Sequence, residues 1–116
     1  MADITTVEAL TAKIAEMRKA QEIFSTYSQK QVDKICCAVA MAAIQDRVSL
    51  AKMAVQETQM GILEDKILKN HFAAEFVYHK YRDFKTCGVL ETDEELGIQK
   101  VAAPLGLVGA ILPVTN

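Results

Sequence analysis

Four groups of residues in this chain have the right types to do chemistry: two histidines, three cysteines, a mixed-charge cluster and the tail. His71 and His79 are the only histidines, eight positions apart on one helical pattern. At 1.5 Å of rise per residue they stand about 12 Å apart, too far to share a metal ion. They read as structural or surface histidines. Cys36 and Cys37 are adjacent inside a helical pattern and cannot readily bridge each other, and the chain has no Cys-x-x-Cys. They read as small core residues, and nothing in the sequence marks Cys87 as an activated thiol. Glu64-Asp65-Lys66 has the composition of an acid/base cluster. It also falls in the first turn of a helix, where carboxylates favour the positive dipole end and Asp65 can pair with Lys69 at i+4. The tail differs. Leu105 to Leu112 is apolar on both faces, as expected of a strand inside a parallel sheet covered by helices. Pro113-Val-Thr-Asn116 follows at the strand's C-terminal end, where open α/β sheets place their ligands. Thr115 and Asn116 supply hydrogen-bonding side chains there. The competing reading is a plain turn.

The elements that must position these groups are mostly helical. Thr5-x-x-Glu8 reads as a capping box for a first helix, with Val7, Leu10, Ile14, Met17, Gln21 and Phe24 on one face. Ser28-x-x-Gln31 opens a second, whose stretch Cys36 to Ile44 is small and apolar nearly all round and so predicts burial on most sides. Ser49 is the expected cap of a third helix running to about Thr58, with Gly61 as its C-terminal freedom. A fourth runs from Ile62 or Leu63 to Arg82. Beyond Lys85, Gly88 to Leu90 and Gly97 to Val101 flank the polar run Glu91 to Glu95, which reads as strand, turn, strand.

The net charge of −2, from 13 basic and 15 acidic residues, argues against a sequence-independent nucleic-acid binder. No apolar run approaches the roughly 18 to 20 residues that span a bilayer. Met-Ala-Asp-Ile-Thr-Thr-Val-Glu has neither basic nor apolar segments of a secretory signal. With three cysteines, an odd number, the expected compartment is the reducing cytoplasm. A single sheet-type strand after about ninety mostly helical residues reads as the front end of a larger α/β protein.

Leu105-Gly-Leu-Val-Gly-Ala-Ile-Leu-Pro-Val-Thr-Asn116 resembles the first nucleotide-domain strand and nicotinamide loop of the aldehyde dehydrogenase superfamily. Leu50-Ala-Lys-Met-Ala-Val-Gln-Glu-Thr-Gln-Met-Gly61, Glu64-Asp-Lys-x-x-Lys-Asn70-His-Phe-Ala and Lys85-Thr-Cys-Gly-Val-Leu90 resemble the N-terminus of the bifunctional aldehyde-alcohol dehydrogenases, in the CoA-acylating branch. The resemblance covers essentially the whole chain. It implies an α/β fold: a helical segment (1–87), a bridging and oligomerisation hairpin (88–103), and a first nucleotide-domain strand and loop (104–116). It implies an oxidoreductase interconverting acetaldehyde and acetyl-CoA with NAD(H), with CoA as co-substrate. A second half, iron-dependent, would interconvert acetaldehyde and ethanol, and the whole would be a cytosolic homo-oligomer or filament of fermentation. Ile111, Leu112, Pro113, Val114, Thr115 and Asn116 match the loop lining the NAD site, with Val114 where the branch usually has Thr. Asn116 is implied as the catalytic group polarising the substrate carbonyl. Superfamily members place that Asn one position earlier, so Thr115 is its alternative occupant. The family's catalytic Cys matches none of Cys36, Cys37 or Cys87, and no metal ligand is implied here. The expectation is therefore a chain inactive alone; the alternative is a non-catalytic helical interaction or oligomerisation module.

Overall fold

The computed structural model describes residues 4–113. They group into two compact units: the described parts of Met1–Ser28 with Cys87–Ile111, and of Gln29–Thr86 with Leu112–Asn116.

In the first unit, α1 spans Val7–Phe24. Its cap is Thr6 rather than Thr5: the backbone at Thr6 is extended, and its hydroxyl accepts from the Ala9 N–H at 3.2 Å. Glu8 then falls one position short of closing a capping box. It still sits in the first turn, where its charge suits the dipole. The far end is closed by hydroxyls: Ser25 donates to the Glu22 carbonyl at 2.7 Å and Thr26 to that of Ile23 at 2.8 Å.

The expected hairpin is present. Strand β1, Gly88–Asp93, pairs antiparallel with β2, Ile98–Ala102, from Gly88↔Ala102 to Asp93↔Ile98, with a bulge between Val89 and Glu91. Only part of the acidic run is turn. Glu91, Thr92 and Asp93 extend β1, and Glu91 lies opposite Lys100, an opposite-charge cross-strand pair. The Asp93 carboxylate accepts from the Leu96 N–H at 2.9 Å, and Gly97, at φ 65°, returns the chain.

Residues 103–113 carry no regular secondary structure, so the strand expected over Leu105 to Leu112 is not formed. Its backbone donors and acceptors need a neighbouring strand, and among the described residues the only sheet is the β1–β2 pair.

The second unit holds α2, Gln29–Gln45, and α3, Arg47–Thr58, joined by the single residue Asp46. Asp46, not Ser49, is the N-cap of α3. Ser49 lies inside the helix and donates back to the Asp46 carbonyl at 2.9 Å. Asn70 closes the corner from across the unit, its amide donating to the Arg47 carbonyl at 3.1 Å. The left-handed residue ending α3 is Gln59, at φ 55°, rather than Gly61. Gly61 follows at φ 84°, where a Cβ would also meet Lys66 Cε at 2.9 Å.

The long fourth helix is a composite rod: α4, Leu63–His71; a π turn, Phe72–Phe76; and α5, Val77–Tyr81. The residues at both junctions keep right-handed helical angles, so the rod continues through them. Its first part packs on α3 and its π turn and α5 on α2. The i→i+5 spacing of a π turn brings His71 edge-on to Phe76, ring centroids 5.4 Å apart, while Phe72 stacks on Phe76 at 5.9 Å.

Among the described residues only Ala40 and Ala51 are buried. Small side chains let α2, α3 and the rod approach, but the larger apolar residues point away: Val39 is 64% exposed and Phe72 60%. The expectation that α2 would be buried on most sides, with Cys36 in a core, is corrected accordingly. Cys36 is exposed and Cys37 half-buried.

Candidate functional site

Of the six residues expected to line a nucleotide loop, Val114, Thr115 and Asn116 lie outside the described residues. Ile111 is fully exposed, Leu112 nearly so, and Pro113 exposed. These three offer apolar side chains and carbonyl oxygens, and by themselves they form no nucleotide cradle. Pro113 lines a shallow recess of about 350 Å³ with Leu50, Lys66, Lys69 and Asn70. Among the described residues, no group of three His, Cys, Asp or Glu side chains could hold a metal ion.

The histidines separate in role. His71 Nδ1 is buried and 3.1 Å from a Glu75 carboxylate oxygen, close enough for an ion pair but not aligned as a hydrogen bond. The π turn accommodates that i,i+4 pair together with the Phe76 ring. His79 is exposed, its Nδ1 3.2 Å from Arg82 Nη1. Glu64 and Asp65 sit in the first turn of α4, as their charge predicts.

The principal concavity of the second unit lies between α2 and the rod, a groove of about 510 Å³. Ile35, Cys36, Val39, Ala43, Ala74 and Val77 form most of its walls. A second recess of about 360 Å³ continues it past Cys36, Val77 and Tyr78 toward Asp33 and Arg82. Cys36, Ala40 and Ala43 fall at i, i+4 and i+7 on α2, a spacing of small residues that could have signalled this groove.

Two polar features had no local signal. The Gln29 side chain ties the start of α2 to the end of the unit: its carbonyl accepts from the Thr86 N–H at 2.7 Å, and its amide donates to Asp33 at 2.7 Å and to the Thr86 hydroxyl at 3.1 Å. The Tyr78 phenol is hydrogen-bonded with the Cys37 thiol. That contact, then partial burial, holds its pKa above the ordinary 10.0, with Asp33 adding to the rise and Arg82 opposing it. A pKa raised on folding means that the neutral phenol is favoured. The resulting stability is present below the ordinary tyrosine value and is lost as pH climbs through the raised one. In an ultraviolet titration, Tyr78 should ionise later than an ordinary tyrosine, and Cys37→Ala should bring it back. A late phase unmoved by that change would remove the thiol as its cause.

Among the described residues, no helix is long and apolar enough to cross a membrane. No family model matches the chain. It is 55% identical, over 113 residues, to an aldehyde-alcohol dehydrogenase of Clostridium acetobutylicum, covering 97% of this chain and 13% of that protein. It is 49% identical over 113 residues, with the same coverage, to the bifunctional aldehyde-alcohol dehydrogenase of Escherichia coli. Against an acylating sulfoacetaldehyde dehydrogenase of Bilophila wadsworthia it is 45% identical over 101 residues, 85% of this chain and 22% of that one. Among solved structures, an acetylating aldehyde dehydrogenase of Geobacillus thermoglucosidasius matches with a TM-score of 0.72 at 42% identity, covering 76% of this chain and 20% of that one. A probable aldehyde dehydrogenase of Listeria monocytogenes matches with a TM-score of 0.78 at 40% identity, covering 82% and 21%.

A helical region with one antiparallel hairpin, matched in sequence and shape, thus defines a chain homologous to the acylating aldehyde dehydrogenases. Within that class it is homologous to the N-terminal part of the bifunctional aldehyde-alcohol dehydrogenases. It spans 13% of the length of the first of these curated relatives.

Proposed function

We propose that this chain is the opening part of an acetylating aldehyde dehydrogenase unit, working within a cytoplasmic homo-oligomeric enzyme that interconverts acetaldehyde and acetyl-CoA with NAD(H). The observation that carries this reading is 55% identity over 97% of the chain to an aldehyde-alcohol dehydrogenase. Reduction of acetaldehyde to ethanol would belong to a separate, iron-dependent part of such an enzyme.

Within that reading, the loop Ile111 to Asn116 lines the nicotinamide side of the NAD site. NAD, when bound, supplies the hydride acceptor, and CoA takes up the acyl group. The apolar side chains of Ile111, Leu112 and Pro113 exclude water from one face of the site. The Asn116 amide donates toward the oxygen that gains charge when a thiol adds to the aldehyde. In this reading none of Cys36, Cys37 and Cys87 is that thiol, because none of them matches the family's catalytic Cys in the resemblance set out above. The role of this chain is to frame the cofactor loop, with the nucleophile supplied elsewhere.

The purified 116-residue chain should therefore form no NADH from acetaldehyde, CoA and NAD⁺. The same chain, joined to the residues of the Clostridium relative beyond the matched region, should do so at a rate close to that relative's own. Turnover by the chain alone would end this reading, as would a correctly folded but inactive chimera.

A further inference from the structure

We infer that Gln29 and Asp33 form a polarity-matched latch on α2, which holds the strap of residues 84–86 closed over one side of the recess beside it. The latch is a device of the helical unit itself and operates whether or not the catalytic reading holds.

Residues 84–86 follow the rod and carry no regular secondary structure. Side-chain bonds hold them instead. The Gln29 carbonyl accepts from the Thr86 N–H at 2.7 Å and from the Thr86 hydroxyl at 3.4 Å. The Gln29 amide donates to the Thr86 hydroxyl at 3.1 Å and, at 3.4 Å, to the Phe84 carbonyl. The same amide donates to the Asp33 carboxylate, one turn along α2, at 2.7 Å. A carboxylate only accepts and a backbone N–H only donates, so a single orientation of the Gln29 side chain satisfies both ends. Asp33 selects that orientation and so turns the Gln29 oxygen toward Thr86. Its charge also makes this the strong bond of the set.

The strap has a wall to form. Phe84 and Thr86 line the recess of about 360 Å³ together with Asp33, Tyr78, Tyr81 and Arg82. Releasing Thr86 therefore opens that recess from one side. The rod's end already aims the strap at α2, because the Phe84 N–H donates to the Tyr81 carbonyl at 2.9 Å. Only the last step, from Phe84 to Thr86, depends on the latch. Gln29 and Thr86 are also the first and last residues of the helical stretch of their unit, 57 positions apart. A contact that joins such distant positions limits the freedom of the chain between them. A segment held by a few side-chain bonds near solvent opens by itself, without unfolding the helices behind it.

Trypsin reads the latch directly, because cleavage after Lys85 breaks the peptide bond whose N–H Gln29 holds. The 116-residue chain is digested briefly and cleavage after Lys85 followed by mass spectrometry, with cleavage after Arg18, inside α1, as the reference. Gln29→Glu should speed the Lys85 cut about tenfold, because its carboxylate would face that of Asp33 across a gap now spanned by a hydrogen bond. Helix chemistry alone predicts the reverse, since a carboxylate in the first turn of α2 suits the dipole. Asp33→Asn should change the rate by less than about threefold, because an amide oxygen still accepts from Gln29. Combining the two changes exchanges the roles of donor and acceptor. The double variant should return to within about threefold of the parent rate. A double variant cut as fast as Gln29→Glu overturns the latch, as does Gln29→Glu cut no faster than the parent. If Gln29→Glu loses its helical signal, the parent chain still decides by amide exchange. Its Thr86 N–H should exchange at least about tenfold more slowly than in an unstructured peptide. Exchange at the peptide rate overturns the inference.

Discussion

Changing Asn116 to alanine in a full-length aldehyde-alcohol dehydrogenase that begins with this chain is expected to lower kcat for acetaldehyde oxidation by about 10²–10³, the usual cost of losing one oxyanion donor. The Asn116 amide would donate to the aldehyde oxygen only as that oxygen becomes negative. Its loss should therefore appear in kcat and kcat/KM together, leaving NAD affinity nearly unchanged. Thr115→Ala, measured in parallel, should cost less than about tenfold, because a hydroxyl one residue away would act by lining the site. If the large loss falls on Thr115 and Asn116→Ala is nearly silent, the donor sits one residue earlier. If neither change lowers kcat, this loop does not touch the reacting carbonyl.

The second large effect concerns folding. Ala51 is fully buried on α3, which packs on α4. Replacing it with glutamate would force a charged side chain larger than the alanine into a fully buried position between two helices. Desolvating a charge in a tightly packed helix contact costs several kcal/mol, comparable with the whole stability of a small unit. Ala51→Glu should therefore abolish the cooperative urea transition of the helical signal. Lys52→Glu, one residue along and exposed, should change stability by no more than about 0.5 kcal/mol. Equal loss in both variants would show that α3 is held by something other than contact at Ala51.

Helix existence was legible because spacing survives without knowledge of neighbours: the faces of α1 and α2 follow from apolar residues three and four apart. Caps were misread by one to three positions. Thr5 and Thr6 are chemically equivalent, and only backbone angles decide which accepts the Ala9 N–H. Ser49 has the right chemistry for a cap, but α3 begins before it because Asp46 alone turns the chain. The π turn carries no signature in Phe72-Ala-Ala-Glu-Phe76, a stretch that by composition reads as ordinary helix; in the structure it packs on α2. The Gln29 clasp joins residues 57 apart in sequence, beyond any local pattern. The tail was readable as a strand in composition only, because a strand is completed by neighbours that composition cannot supply. The candidate cofactor loop rests on resemblance alone, since by its residue types Pro-Val-Thr-Asn reads equally well as a plain turn.

The π turn also gives the rod slack in length. A wide turn holds one residue more than an α turn. Deleting Ala73 would let it tighten from i→i+5 to i→i+4, leaving Leu63–His71 and Val77–Tyr81 on their present faces. The same deletion at Ile67 would rotate everything beyond it by about 100° and turn α5 off α2. Single-residue length variation among homologous rods should therefore collect at Phe72–Phe76, the one place where this helix can lose a residue and still point its side chains the same way.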